Sequence, residues 1–144
     1  MRGMSTLYVE TSALLRVALE GDTILRRRFI AADRLVTSGL TWVEADRAVR
    51  RGLAARRFRG AVHGQARRWI DDFLASCDEI VLDASVLSRA RQIFPVEPVR
   101  TLDALHLASV LAWDQAVDRL TVASCDDRVR ANAVALGYDV VPGQ

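Results

Sequence analysis

Short apolar runs alternate with segments of helical spacing along the whole chain, and this alternation limits the available folds more than any other feature. Residues 5–10 (STLYVE), 34–38 (RLVTS), 79–83 (EIVLD), 119–124 (RLTVAS) and 138–141 (YDVV) read as strands. Between them, 11–21 (TSALLRVALEG, with a Gly stop), 24–32, 41–57, 61–76, 84–94, 101–116 and 126–137 read as helices. The helix over 61–76 places Val62, Ala66, Trp69, Ile70, Phe73 and Leu74 on one face, and Pro95 and Pro98 interrupt the chain after 94. Strands separated by helices predict an α/β fold, a central parallel sheet with helices on both faces. The connections leave no room for a linker, so one domain is expected over residues 1–144.

In such folds ligands sit outside the carboxyl ends of the strands, where loops turn into helices. Three of four carboxylates, Glu10, Glu44, Asp103 and Asp126, fall in or near such positions. Glu10 ends the first strand and is followed by Thr11 and Ser12, which can cap the next helix. Glu44 lies one turn into the helix TWVEADRA, with Arg47 three residues on; Asp103 follows Thr101 at a helix start; Asp126 follows RLTVAS and opens the last helix. Unpaired N–H groups and partial positive charge at a helix N-terminus keep a nearby carboxylate ionised and fit to hold a hard cation. The plainer reading is that Asp103 and Asp126 merely stabilise helix starts and that Glu44 pairs with Arg47; it is the conjunction of four acids that points to a site.

Composition removes several alternatives. All 20 basic residues are Arg, so a phosphate loop ending in Lys is absent, and so is the Lys that a response-regulator receiver requires. A phosphotransferase using an aspartyl nucleophile would need Asp at position 10, where Glu stands. Cys77 and Cys125 are too far apart for a metal knuckle and read as small, partly buried thiols. His63 and His106 are too few for a His-based site, and His106, between Leu105 and Leu107, reads as a packing residue. Trp42, Trp69 and Trp113 read as core or partner-facing. No apolar run reaches the roughly 20 residues that span a bilayer, and the first ten residues carry no signal-peptide pattern, so a cytoplasmic location is expected.

Taken together, the blocks YVETSALL, TWVEADRA, RTLDALHLAS and VASCDDRVRANAVALGYDVV resemble, in order and spacing, the PIN-domain ribonucleases, and most closely the VapC-type toxins of bacterial toxin–antitoxin pairs. The resemblance covers essentially the whole chain. It implies a metal-dependent endoribonuclease in which Glu10 and Asp103 bind Mg2+ (or Mn2+) most directly, Glu44 and Asp126 complete the pocket, and Ser124 orients the acidic cluster. Asp127 matches a variable position and is read as a helix-start residue. The resemblance also implies an RNA substrate, a cognate antitoxin seated in an apolar groove of the early helices, and a homodimer.

The residue chemistry supports the same direction. Phosphodiester hydrolysis needs an activated water, a neutralised non-bridging oxygen and a stabilised leaving oxygen, all of which divalent ions held by carboxylates supply. Eight Arg from Arg47 to Arg68, with no acid in the interval, offer a phosphate-contacting surface through Arg50, Arg51, Arg56 and Arg57, or simply a solvated basic face. The alternative is a PIN-like module that holds RNA or a protein partner without turnover. Glu at position 10, where the family pattern has Asp, predicts that Glu10→Asp raises Mg2+-supported cleavage; a loss would show a pocket built around the longer acid.

Overall fold

The chain is described by a computed structural model over residues 4–57, 59–116 and 119–143; the remaining positions of the expected 1–144 domain lie outside the described residues. The elements run β1 (Thr6–Val9), α1 (Thr11–Glu20), α2 (Thr23–Ala31), β2 (Arg34–Ser38), α3 (Gly39–Ala54), α4 (Gly60–Ala75), β3 (Asp78–Ile80), α5 (Ala84–Ala90), α6 (Thr101–Ala116), β4 (Thr121–Ala123), α7 (Asp127–Ala135) and β5 (Asp139–Val141). The strands form one parallel sheet in the order β3-β2-β1-β4-β5. From β1 the chain first builds outward through β2 and β3, then returns to add β4 and β5 on the other side. The reversal falls between β1 and β4, the switch point at which doubly wound sheets open a crevice.

Strand β1 is buried along its whole length, and its side chains alternate between two apolar layers. Leu7 and Val9 join Leu14, Val17, Val49 and Ile70 under the helices from the first half of the chain. Tyr8 points the other way, into a cluster with Val86, Leu107, Val110 and Val129 from α5, α6 and α7. Helices thus cover both faces, as the alternation of elements predicts.

Several boundaries differ from the sequence-based expectation, each for a local reason. Helix α3 begins at Gly39, not at 41, because the Ser38 hydroxyl caps it by accepting from the Leu40 N–H at 3.1 Å. It ends at Ala54, short of 57: Arg56 adopts a left-handed φ of 55°, and the N–H groups of Arg56 and Arg57 turn back to the carbonyls of Leu53 and Gly52. Gly21, at φ 68°, ends α1 in the same conformation, which Gly adopts without a Cβ clash. Strand β3 lies at Asp78–Ile80, and Asp83, expected within it, instead caps α5 by accepting from Val86 N–H at 2.9 Å. Helix α5 stops at Ala90 instead of 94, since Pro95 disfavours helical geometry at Phe94, whose ring turns into the core.

Candidate functional site

The four carboxylates meet at the carboxyl end of the sheet. Glu10, Glu44, Asp103 and Asp126 line one cavity of about 500 Å³ together with Thr11, Ser12, Leu15, Ala48, Arg51 and Arg100. Each acid arrives on a different element, and each is fixed by local hydrogen bonding.

Glu10 immediately follows β1 over the switch point, and its backbone N–H donates to the Ala123 carbonyl at 2.9 Å, extending the ladder to β4 by one residue. Its carboxylate is buried, and Oε2 accepts from the Ser124 hydroxyl at 2.8 Å and from the Ser12 hydroxyl. Glu10 itself occupies the N-cap position of α1 without a side-chain cap. Thr11 and Ser12 therefore do not cap the helix as expected; they turn to carboxylates. Ser124 accepts in turn from the Asp126 N–H at 3.1 Å, so one buried hydroxyl ties the loop after β4 to the acid after β1.

Asp126 does two jobs with its two oxygens. Oδ1 caps α7, accepting from the N–H groups of Arg128 and Val129 at 3.0 and 3.1 Å, while Oδ2 accepts from Arg100 Nη2 at 3.1 Å. The capping reading and the site reading thus hold for the same residue. Asp103, in the first turn of α6, is buried, and its Oδ2 accepts from Arg100 Nε at 3.1 Å. The carbonyl of Arg100 receives the Ala104 N–H, so Arg100, not Thr101, occupies the cap position of α6. Asp127 is the first residue of α7, as expected.

Glu44 does not pair with Arg47. Its Oε1 accepts from the Thr11 hydroxyl at 2.7 Å and from His106 Nε2 at 2.5 Å. Burial acts to raise the Glu44 pKa, but the hydrogen bond and charge of His106, the Thr11 hydroxyl and the nearby Arg51 outweigh it, and the carboxyl is held below its ordinary value. Glu44 is therefore ionised at neutral pH.

Of the four arginines proposed for RNA, Arg51 lines the acidic cavity, on the α3 face that carries Glu44 and Ala48 at helical spacing. Arg57 lines an adjoining groove of about 590 Å³ with Ser12, Leu15, Leu19, Ala48 and Gly52, while Arg50 and Arg56 are exposed and line neither. Sequence reasoning missed two residues of the site. Arg100 bridges Asp103 and Asp126, and His106, taken for a packing residue, bonds Glu44. Only the turn-like spacing of Arg100 from Asp103 could have flagged the first.

An all-oxygen set of four acids and a buried hydroxyl suits a hard divalent ion. As placed, no three acidic, His or Cys groups among the described residues stand close enough to share one. The reason is visible: Arg100 draws Asp103 and Asp126 together, while Glu10 and Glu44 are held by hydroxyls and His106. The Arg100 guanidinium, ion-paired to Asp103 and Asp126 on a side chain that is 73% exposed, is a cationic stand-in at the mouth of the pocket. The donor set therefore fits a metal whose charge replaces that of Arg100.

An α/β domain with carboxylates gathered at the switch point of its parallel sheet defines the class. The model of the PIN domain family matches residues 7–135, and the chain belongs to that family, with VapC-type proteins as its relatives. It is 32% identical over 143 residues to ribonuclease VapC35 of Mycobacterium tuberculosis, covering 96% of this chain and 98% of the relative. Among solved structures, VapBC-5 of M. tuberculosis, a member of the VapBC family of toxin–antitoxin systems, superposes with a TM-score of 0.57 at 17% identity, covering 94% of this chain and 95% of that one. VapBC2 of Rickettsia felis, solved with a DNA fragment from its promoter, gives 0.60 at 11% identity, covering 94% and 96%. These two likenesses are of fold.

Proposed function

We propose that this chain is an Mg2+-dependent endoribonuclease, with Mn2+ as an alternative ion, and the toxin of a toxin–antitoxin pair. The observation that carries this is the convergence of Glu10, Glu44, Asp103 and Asp126 on one cavity at the sheet's switch point. Glu10 and Asp103, the two buried acids, hold the ion directly, and Glu44 and Asp126 hold its waters or complete the pocket. A divalent ion held there would supply an activated water for in-line attack on the phosphodiester and would neutralise the charge that develops on phosphate oxygens. Ser124 and Ser12 fix the orientation of Glu10. Arg51 and Arg100 at the rim attract the RNA backbone to a pocket that would otherwise repel it. Arg57 extends this basic edge, and Arg50 and Arg56 add to it from the exposed surface.

The adjoining groove supports an inhibitory partner. Its floor of Leu15, Leu19, Ala48 and Gly52 is apolar, and it shares Ser12, Leu15, Ala48 and Arg51 with the acidic cavity, so a cognate antitoxin seated there also covers the site. The relatives' toxin–antitoxin context points the same way. A homodimer and a cytoplasmic location complete the proposal; no helix among the described residues is long and apolar enough to cross a membrane. A second reading, a module that holds RNA or a partner without turnover, draws on Glu10 and on the Arg100 bridge across two of the acids.

Cleavage of a mixed RNA pool, with product mapping, separates the two. The nuclease reading expects internal cuts in Mg2+ that vanish in EDTA and return when Mg2+ or Mn2+ is restored in excess. Cutting that persists in EDTA sinks metal dependence; RNA retention with no cutting in either ion favours the module.

A further inference from the structure

Behind Glu44 lies a buried chain of polar groups that the proposed chemistry does not use. His106 and Tyr8 are 1% and 0% exposed, and neither lines the acidic cavity. The Tyr8 hydroxyl stands 2.7 Å from His106 Nδ1, and His106 Nε2 stands 2.5 Å from Glu44 Oε1. Three elements from two layers meet here: Tyr8 on β1, His106 on α6 and Glu44 on α3.

The donor and acceptor count fixes the protons. An ionised carboxylate only accepts, so Nε2 carries the ring proton and donates it to Glu44. Nδ1 is then a lone pair and needs a donor. Tyr8 supplies one, because burial, then the charges of Glu10 and Glu44, hold its phenol well above the ordinary pKa and keep it protonated. With a proton on Nε2 donated to Glu44 and the Tyr8 hydroxyl donated to Nδ1, both ring nitrogens have partners. The opposite tautomer would set the Nε2 lone pair against the Glu44 carboxylate at 2.5 Å.

The geometry points to His106 as a positioning residue, locked by Tyr8 in the Nε2–H tautomer so that it aims the Glu44 carboxylate into the acidic site. The Thr11 hydroxyl, 3.3 Å from His106 Nε2, donates to the same Oε1 at 2.7 Å, so Oε1 is occupied by protein donors and Oε2 is the oxygen left for the pocket. This rests on the metal-site reading above. A purely space-filling role for His106 would be indifferent to which polar group replaced it.

The test compares variants that keep or remove the donor. In His106→Gln the side-chain amide reaches the place of Nε2; in His106→Asn it is one methylene too short; Tyr8→Phe leaves all four acids and the imidazole in place but deletes the hydroxyl. Mn2+ alone is titrated into the full chain, and the 15N spectrum of the metal-free protein reports the tautomer. Expected are a ring proton on Nε2 with Nδ1 accepting from Tyr8, Mn2+ binding weakened by about 10-fold or more in His106→Asn, a smaller loss in Tyr8→Phe, and near-wild-type binding in His106→Gln, in line with roughly 10- to 100-fold effects of outer-shell partners. A ring proton on Nδ1, or Mn2+ affinities equal across the Gln and Asn variants and Tyr8→Phe, overturns the positioning role alone. Failure of the wild-type chain to bind Mn2+ overturns it together with the metal-site reading.

Discussion

Asp103→Asn is expected to reduce metal-supported RNA cleavage by at least about 100-fold, the upper end of what loss of an outer-shell partner costs a metal site, since Asp103 is proposed as a direct ligand. The substitution is nearly isosteric. The buried amide oxygen can still accept from Arg100 Nε, and α6 keeps the backbone bond from Ala104 to Arg100, so the fold should hold. What disappears is one of two buried negative charges that offset the ion's loss of hydration. Cleavage assays paired with Mn2+ titration check this: both should fall together while the thermal transition stays close to wild type. Unchanged cleavage would show that the reaction does not pass through this pocket.

Glu10→Asp carries the second large expectation, and the structure reverses its sign. Sequence pattern alone suggests that restoring the family's Asp should raise Mg2+-supported cleavage. The hydroxyls of Ser124 and Ser12 both meet Glu10 at Oε2, at the end of the longer side chain. Shortening it withdraws the carboxylate by about 1.5 Å, which breaks a 2.8 Å bond to a hydroxyl that is itself anchored by the Asp126 N–H. Magnesium tolerates little displacement of its ligands. A fall in Mg2+-supported turnover of about 10-fold is expected, by analogy with lost ligand support, with a smaller fall in Mn2+. Faster cleavage by Glu10→Asp would mean that the two serines do not fix the working position of this acid.

These expectations also show where the sequence was legible. Apolar alternation located every strand, and Glu10, Glu44 and Asp126 stand at or near strand-to-helix seams readable from local pattern, whereas Asp103 opens α6 after a helix and a loop and was found through its block RTLDALHLAS. The parallel sheet was legible because helices separate the strands, and the burial of β1 on both faces agrees with it. Element ends were harder: Ser38, Asp83 and Pro95 moved boundaries by two to four residues through caps and a steric restriction that periodicity averages away. His106 was hidden for a different reason. Its neighbours Leu105 and Leu107 made it look like packing, while the partners that reveal it lie 62 and 98 residues away. The basic stretch was visible as composition, but which arginine reaches the acids depends on the rotation of α3, where Arg51 follows Glu44 and Ala48 along one face and Arg50 does not.

The acids gathered at the ends of β1 and β4 are proposed to form a divalent-ion centre. A crystal of the wild-type chain grown with Mn2+, and its anomalous difference map, tests this most directly. A peak is expected at ligand distance, about 2.0 to 2.6 Å, from carboxylate oxygens of Glu10 and Asp103, with the Arg100 guanidinium turned away from Asp103. Full Mn2+ occupancy elsewhere on the chain, or an Arg100 bridge that persists with no ion between those acids, would contradict it.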